Sequence, residues 1–112
     1  MGKIEILKND RDFAAFKASK SFQTKLLKIR VHYSLSQNSP RFGFIVPKKL
    51  VPKVVDRNLL KRRIKTVLLR INQQIKPADI LIFPQPALIK QTFAKLSEEV
   101  ENLISQAKLW KS

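Results

Sequence analysis

The stretch Asp56-Arg57-Asn58-Leu59-Leu60-Lys61-Arg62-Arg63-Ile64-Lys65-Thr66-Val67-Leu68-Leu69-Arg70 constrains the fold most. Wound as a helix, it separates into two stripes. Leu60, Ile64, Val67, Leu68, Ile71 and Ile75 recur at helical spacing and make one apolar stripe. Arg57, Asn58, Lys61, Arg62 and Lys65 make a second, cationic stripe beside it. Like charges placed this way repel, so the isolated helix is weakened by its own surface. No Asp or Glu is interleaved after Asp56, so the run lacks the mixed signs of an ordinary solvated face and calls for an anion. Asp56 stands where an N-cap is expected, with its carboxylate accepting a backbone N–H of the first turn.

That anion is expected to be large. The chain has 112 residues, the size of one domain spanning 1–112, and carries 23 Lys and Arg against 8 Asp and Glu, a net charge of +15. Its hydrophobic fraction of 44% is enough for a core, which excludes a disordered basic tail. Such a charge favours a polyanionic partner, with nucleic acid first and an anionic membrane surface second. No apolar run is long enough to span a bilayer, and no signal-peptide core is present. The absence of cysteine excludes a disulfide framework or a thiolate metal site and fits a reducing cytoplasm. The charge is also uneven. From Arg41 to Arg70 the basic residues face the single acid Asp56, whereas Glu98, Glu99 and Glu101 cluster near the end.

Around the basic stretch the remaining elements follow in order. Asn9 or Asp10 caps a predicted helix to about Ser19, on which Phe13 and Phe16 share a face. Core packing is the default for that pair, and an open surface for base stacking is the alternative. Lys25 to Leu35 alternates, with Leu27, Ile29, Val31, Tyr33 and Leu35 on a buried face and Lys28, Arg30, His32 and Ser34 on a wet one. His32 is the single histidine, and by position alone it reads as a surface residue. The turn Ser36–Pro40 and a second strand from Arg41 to Val46 predict an antiparallel hairpin. A basic loop or short edge strand bracketed by Pro47 and Pro52 leads into the central helix, which should run to Lys76-Pro77. Ile80–Phe83 reads as a fully apolar strand, so the helix makes a βαβ crossover. From Ile89 or Gln91 to about Ala107 an amphipathic helix carries Ile89, Phe93, Leu96, Val100, Leu103 and Ile104 on one side and acids on the other. The tail from Leu109 is expected to fray, with Trp110 available to pack back. The fold class is therefore α/β (α+β), a small mixed sheet of about four strands packed with three helices.

The segment Arg41-Phe42-Gly43-Phe44-Ile45-Val46-Pro47-Lys48-Lys49, followed by Arg57-Asn58-Leu59-Leu60-Lys61-Arg62, resembles the protein subunit of bacterial ribonuclease P. A glycine upstream of a Lys-Lys pair, then Arg-Asn-x-x-Lys-Arg opening a long helix, is specific in combination, and the element order extends the likeness over nearly the whole chain. The sequence departs from the family's pattern at Leu59, where Arg is frequent, at Val51-Pro52, where Gly is frequent, and in the three-residue spacing of Phe13 and Phe16. The resemblance implies a two-layer sandwich with a left-handed βαβ crossover, like the second domain of ribosomal protein S5. It implies an accessory subunit of an endonuclease whose catalyst is RNA and which removes the 5′ leader of precursor tRNA with Mg²⁺. The implied partners are the catalytic RNA and precursor tRNA, with no membrane and no small-molecule substrate. The catalytic RNA would meet Lys48, Lys49, Arg57, Asn58, Lys61, Arg62 and Lys65, and the single-stranded leader would meet Phe13, Phe16, Lys28, Arg30 and His32. No catalytic or metal-ligating residue is expected on the protein. A leader of variable sequence suits stacking and backbone charge rather than base-edge readout. A ribosomal-type RNA-binding module and a protein nuclease with its own metal site are the competing readings.

Overall fold

The computed structural model describes residues 5–6, 19–33 and 39–111. The predicted first helix, with Phe13 and Phe16, lies outside the described residues. Among the described residues five strands form one mixed sheet: β1 (Glu5–Ile6), β2 (Lys20–Gln23), β3 (Leu27–Tyr33), β4 (Arg41–Phe44) and β5 (Ala78–Pro84). Their order across the sheet is β1-β4-β5-β3-β2, so four longer strands carry a two-residue strand at one edge. Two α-helices are present among the described residues, α1 (Val54–Ile71) and α2 (Phe93–Gln106).

β5 takes the middle of the sheet because it is apolar on both faces, and only a central strand buries both. It pairs antiparallel with β3, Ile29 opposite Ile82, and parallel with β4, Phe42 opposite Ile80. This overturns the predicted hairpin. β3 and β4 do run antiparallel to one another, but β5 is inserted between them, joined to β4 by the crossover through α1. The short strand β2 was not foreseen either. It runs antiparallel to β3, and Thr24 holds the turn, accepting from the Leu27 backbone N–H at 3.2 Å.

Leu27, Ile29 and Val31 of β3 meet Leu60, Ile64, Val67 and Leu68 of α1 and Leu96, Val100, Leu103 and Ile104 of α2 in one cluster. Each fully buried aliphatic side chain contributes about 1.5–3 kcal/mol relative to exposure. Phe93 departs from the predicted stripe and stays exposed, whereas Glu99 is buried.

The ends of α1 also differ from expectation. The helix begins two residues earlier than Asp56, with Lys53 as an N-cap that makes no side-chain cap bond, and Asp56 sits inside the first turn. Arg57 explains the earlier start. Its Nη1 donates to the carbonyls of Val51 at 2.8 Å and Pro52 at 2.9 Å, which fixes the connector against the first turn, with Val51 buried. At the other end α1 stops at Ile71, and a 3-10 turn, Asn72–Gln74, brings Ile75 into the core from outside the helix.

The C-terminal tail is pinned rather than frayed. After α2, Lys108 adopts a left-handed φ of 56°. The Lys108 N–H then reaches the Ser105 carbonyl and the Leu109 N–H the Ile104 carbonyl, each at 3.0 Å, which is the Schellman arrangement of a helix end. Lys76 N–H donates to Leu109 at 2.7 Å and Lys111 N–H to Gln74 at 2.7 Å, and Ile75 bridges to Trp110. Tyr33 closes the same end, donating its hydroxyl to the Ala107 carbonyl at 2.8 Å. Desolvation there raises its pKa above the ordinary tyrosine value.

Candidate nucleic-acid interface

α1 turns two sides to neighbours and a third outward. Its apolar stripe enters the core. Arg63 and Arg70 turn toward the second helix. The Arg63 guanidinium lies 3.5 and 3.4 Å from the Ile89 and Gln91 carbonyls, and Arg70 donates to the Ser97 hydroxyl at 3.1 Å. The third side carries Asn58, Lys61, Arg62 and Lys65, all exposed or half-exposed on an unbroken helix. Among the described residues, none of Lys48, Lys49, Arg57, Lys61, Arg62 and Lys65 forms an ion pair with a carboxylate. Asp56, in the first turn, complements the positive end of the helix dipole. Two of the acids of α2 have local partners. Glu98 approaches Lys95 at 4.0 Å, and Glu101 accepts from the Ser97 hydroxyl at 3.1 Å.

The structure therefore brings the cationic stripe together as a ridge and keeps the acids away from it. Lys48 and Lys49 project from the turn that follows Pro47, exposed, with Leu50 N–H and Val51 N–H both returning to the Pro47 carbonyl. Arg57 belongs to the ridge by charge, but Nη1 is already engaged with the connector, so it also shapes the loop that presents Lys48 and Lys49. Lys65 leans over the ring of Phe44 on β4, its Nζ 5.9 Å from the centroid.

Lys28, Arg30 and His32 line the sheet face turned away from the shared core. Opposite them on β5 stand Phe83, Leu81 and Asp79. Lys28 Nζ sits 5.4 Å over the Phe83 ring, a cation–π contact, and Ile45 and Phe83 pack on Leu81. Arg30 donates from Nε to the Ser19 hydroxyl at 3.0 Å. Arg41 grips Asp79 through two bonds of 2.8 Å, and His32 Nδ1 lies 4.0 Å from the same carboxylate. Asp79 is nearly fully buried, and a bidentate guanidinium is what makes a carboxylate tolerable there.

Sequence reasoning missed Phe83, Phe44 and the Arg41–Asp79 pair. Each depends on which strands are neighbours. The one available signal was the strict alternation of β3, which required that some strand's polar and aromatic residues oppose Lys28, Arg30 and His32.

A five-stranded mixed sheet with a cationic helix across one face and a basic, aromatic-bearing face on the other defines an RNA-binding α+β domain. A sequence model of the Ribonuclease P family matches residues 1–108, and the chain belongs to that family. It is 34% identical over 103 residues to the ribonuclease P protein component of Synechocystis sp., covering 90% of this chain and 83% of that one. It is 29% identical over 110 residues to the protein component of Streptococcus pyogenes, covering 97% and 91%. The RNase P protein of Thermotoga maritima superposes with a TM-score of 0.80 at 29% identity, covering 91% of this chain and 96% of that one. The RNase P protein of Staphylococcus aureus shares the fold, with a TM-score of 0.86 at 23% identity over 97% of this chain and 100% of that one. Ribonuclease P is a nuclease of tRNA processing. Among the described residues no helix is long and apolar enough to cross a membrane.

Proposed function

We propose that this chain acts as the accessory subunit that helps a catalytic RNA remove the 5′ leader from precursor tRNA. In this reading the ridge of Asn58, Lys61, Arg62 and Lys65, with Arg57 and the turn lysines Lys48 and Lys49, lies on the catalytic RNA. The sheet face of Lys28, Arg30 and His32, extended by Phe83, takes the single-stranded leader together with Phe13 and Phe16. The observation that carries it is the ridge itself, a helix face of one sign without a carboxylate partner among the described residues. Arg62 can fork onto two phosphate oxygens, whereas Lys61 and Lys65 act as point charges. Each contact releases counterions from the RNA.

The bond-breaking chemistry is assigned to the RNA, with Mg²⁺ bound there. The donor set of the described residues supports that assignment. They contain no group of three or more His, Cys, Asp or Glu able to hold a metal ion, and the Asp79 carboxylate is taken by Arg41. The left-handed sense of the β4–α1–β5 crossover and a cytoplasmic location belong to the same reading.

The test is reconstitution with a bacterial ribonuclease P RNA and precursor tRNA at low Mg²⁺. The protein should raise cleavage above that of RNA alone and favour precursor over mature tRNA. Equal binding of the two tRNAs, with no gain in cleavage, points instead to a general RNA-binding module.

A further inference from the structure

The ridge has apolar ends. Val54, Asn58, Lys61 and Lys65 follow one another at helical spacing along one side of α1, as do Val55, Arg62 and Leu69. Val54 is 58% exposed, Val55 75% and Leu69 46%, and Leu50, in the turn just before the helix, is 48% exposed. The other exposed large hydrophobic residues among those described, Tyr33 at 45% and Phe93 at 38%, are aromatic and less exposed, so the aliphatic exposure is concentrated on and just before the face that carries the cations. From Val55 to Leu69 the helix rises about 21 Å, with Asn58, Lys61, Arg62 and Lys65 between.

Helix formation does not call for Val54 or Val55, because β-branched residues are indifferent helix formers, and Leu69, a good helix former, leaves nearly half of its surface unburied by the chain itself. A partner that covers them must also accept Lys48, Lys49, Lys53, Lys61, Arg62 and Lys65 around them. A second copy of a +15 chain is repelled by that surround, and RNA is attracted to it. Folded RNA offers apolar surface where bases are unstacked in loops and bulges.

We propose that Val54 and Val55 at one end of the ridge and Leu69 at the other pack against unstacked nucleobases of the catalytic RNA, while the cations between them hold its phosphates. The inference rests on the ribonuclease P reading. It adds a component of affinity that salt does not screen, and it makes the ridge selective for RNA with splayed bases at both ends over plain duplex.

The experiment is a salt titration of binding to a bacterial ribonuclease P RNA by the full chain and its Val55→Ser, Leu69→Ser, Val55→Ile, Val55→Lys, Leu69→Lys and Lys61→Ala variants, each checked for an unchanged thermal melt. Val55→Ser and Leu69→Ser should each bind about tenfold more weakly at every salt concentration, with the slope of log K against log salt unchanged. Val55→Ile should bind like the parent, and the two lysine variants should lose affinity despite their added charge. Parental binding by both serine variants, beside weakened binding by Lys61→Ala, overturns this inference and leaves the ribonuclease P reading intact. Parental binding by Lys61→Ala as well would bring down the ridge reading itself. Tighter binding by the lysine variants places phosphate, not base, against these positions and overturns the inference. So does sedimentation showing a parent dimer that the serine variants dissolve.

Discussion

The two helices share one core and are built to different ends. α2 satisfies its own needs. The Thr92 hydroxyl accepts the Lys95 N–H at 3.1 Å as an N-cap, Ser97 donates to Glu101 one turn on, and Lys95 approaches Glu98. α1 has no side-chain cap and carries a stripe of like charges that local electrostatics disfavour. Both bury aliphatic residues in the same cluster, so packing holds both in place. α2 is stabilised by what it touches inside the molecule. α1 ties Arg57, Arg63 and Arg70 inward and leaves Lys61 and Arg62 without a carboxylate partner among the described residues.

The shared core is where this comparison is most easily broken. Ile64 is fully buried on α1, so Ile64→Ala should cost about 2–5 kcal/mol. If the helices stand on one core, helical circular dichroism and the fluorescence of Trp110, which sits beyond α2, should lose their native signal in a single denaturant transition. Two separate transitions would mean that α1 has a stability of its own.

The caps sharpen the contrast at a smaller scale. Thr92→Ala should destabilise the fold by about 1 kcal/mol, because it orphans a first-turn donor. Lys53→Ser should do the reverse. The Lys53 backbone is already extended, with φ −81° and ψ 128°, and a hydroxyl there could accept the Asp56 N–H while Asp56 reaches back, a capping box. A gain of about 0.5–1 kcal/mol in urea unfolding is expected, together with weaker RNA binding from the lost cation. No gain would mean that the α1 N-terminus is already satisfied.

What could be read from the sequence follows from distance along the chain. The ridge was legible because helical spacing is local. Asn58, Lys61, Arg62 and Lys65 share a side wherever the helix packs. The alternation of β3 was legible for the same reason. The position of β5 between β3 and β4 was not, since nothing local tells Leu27–Tyr33 that its partner lies about fifty residues on rather than across the next turn. Phe83 under Lys28 and Asp79 under Arg41 were lost with it, because both pairs exist only in that register. Asp56 misled by composition. It is a good N-cap residue, but Arg57 binding the Val51 and Pro52 carbonyls moves the helix start upstream. Val54 and Val55 precede the expected cap at Asp56, so helical spacing counted from Asp56 did not place them on the ridge.

The smallest expected effect on stability is also the one that separates fold from function most directly. Lys61→Glu would place a carboxylate four residues after Arg57 and four before Lys65, replacing two repulsive neighbours with two attractive ones. The Glu-before-Lys order toward Lys65 is the better of the two orientations, so the fold should gain about 0.2–0.5 kcal/mol per pair at low salt. That gain should fade as salt is added, because both groups are at the surface. RNA binding should move the opposite way. Affinity should fall at every salt concentration, and the slope of log K against log salt should flatten by about 0.7–0.9 for the phosphate contact removed. A side chain present for the fold cannot give opposite signs in the two measurements, whereas a ridge held against its own repulsion for an external polyanion must. A variant that loses stability along with affinity would return Lys61 to the ordinary inventory of structural residues, and the contrast between the helices would fall with it.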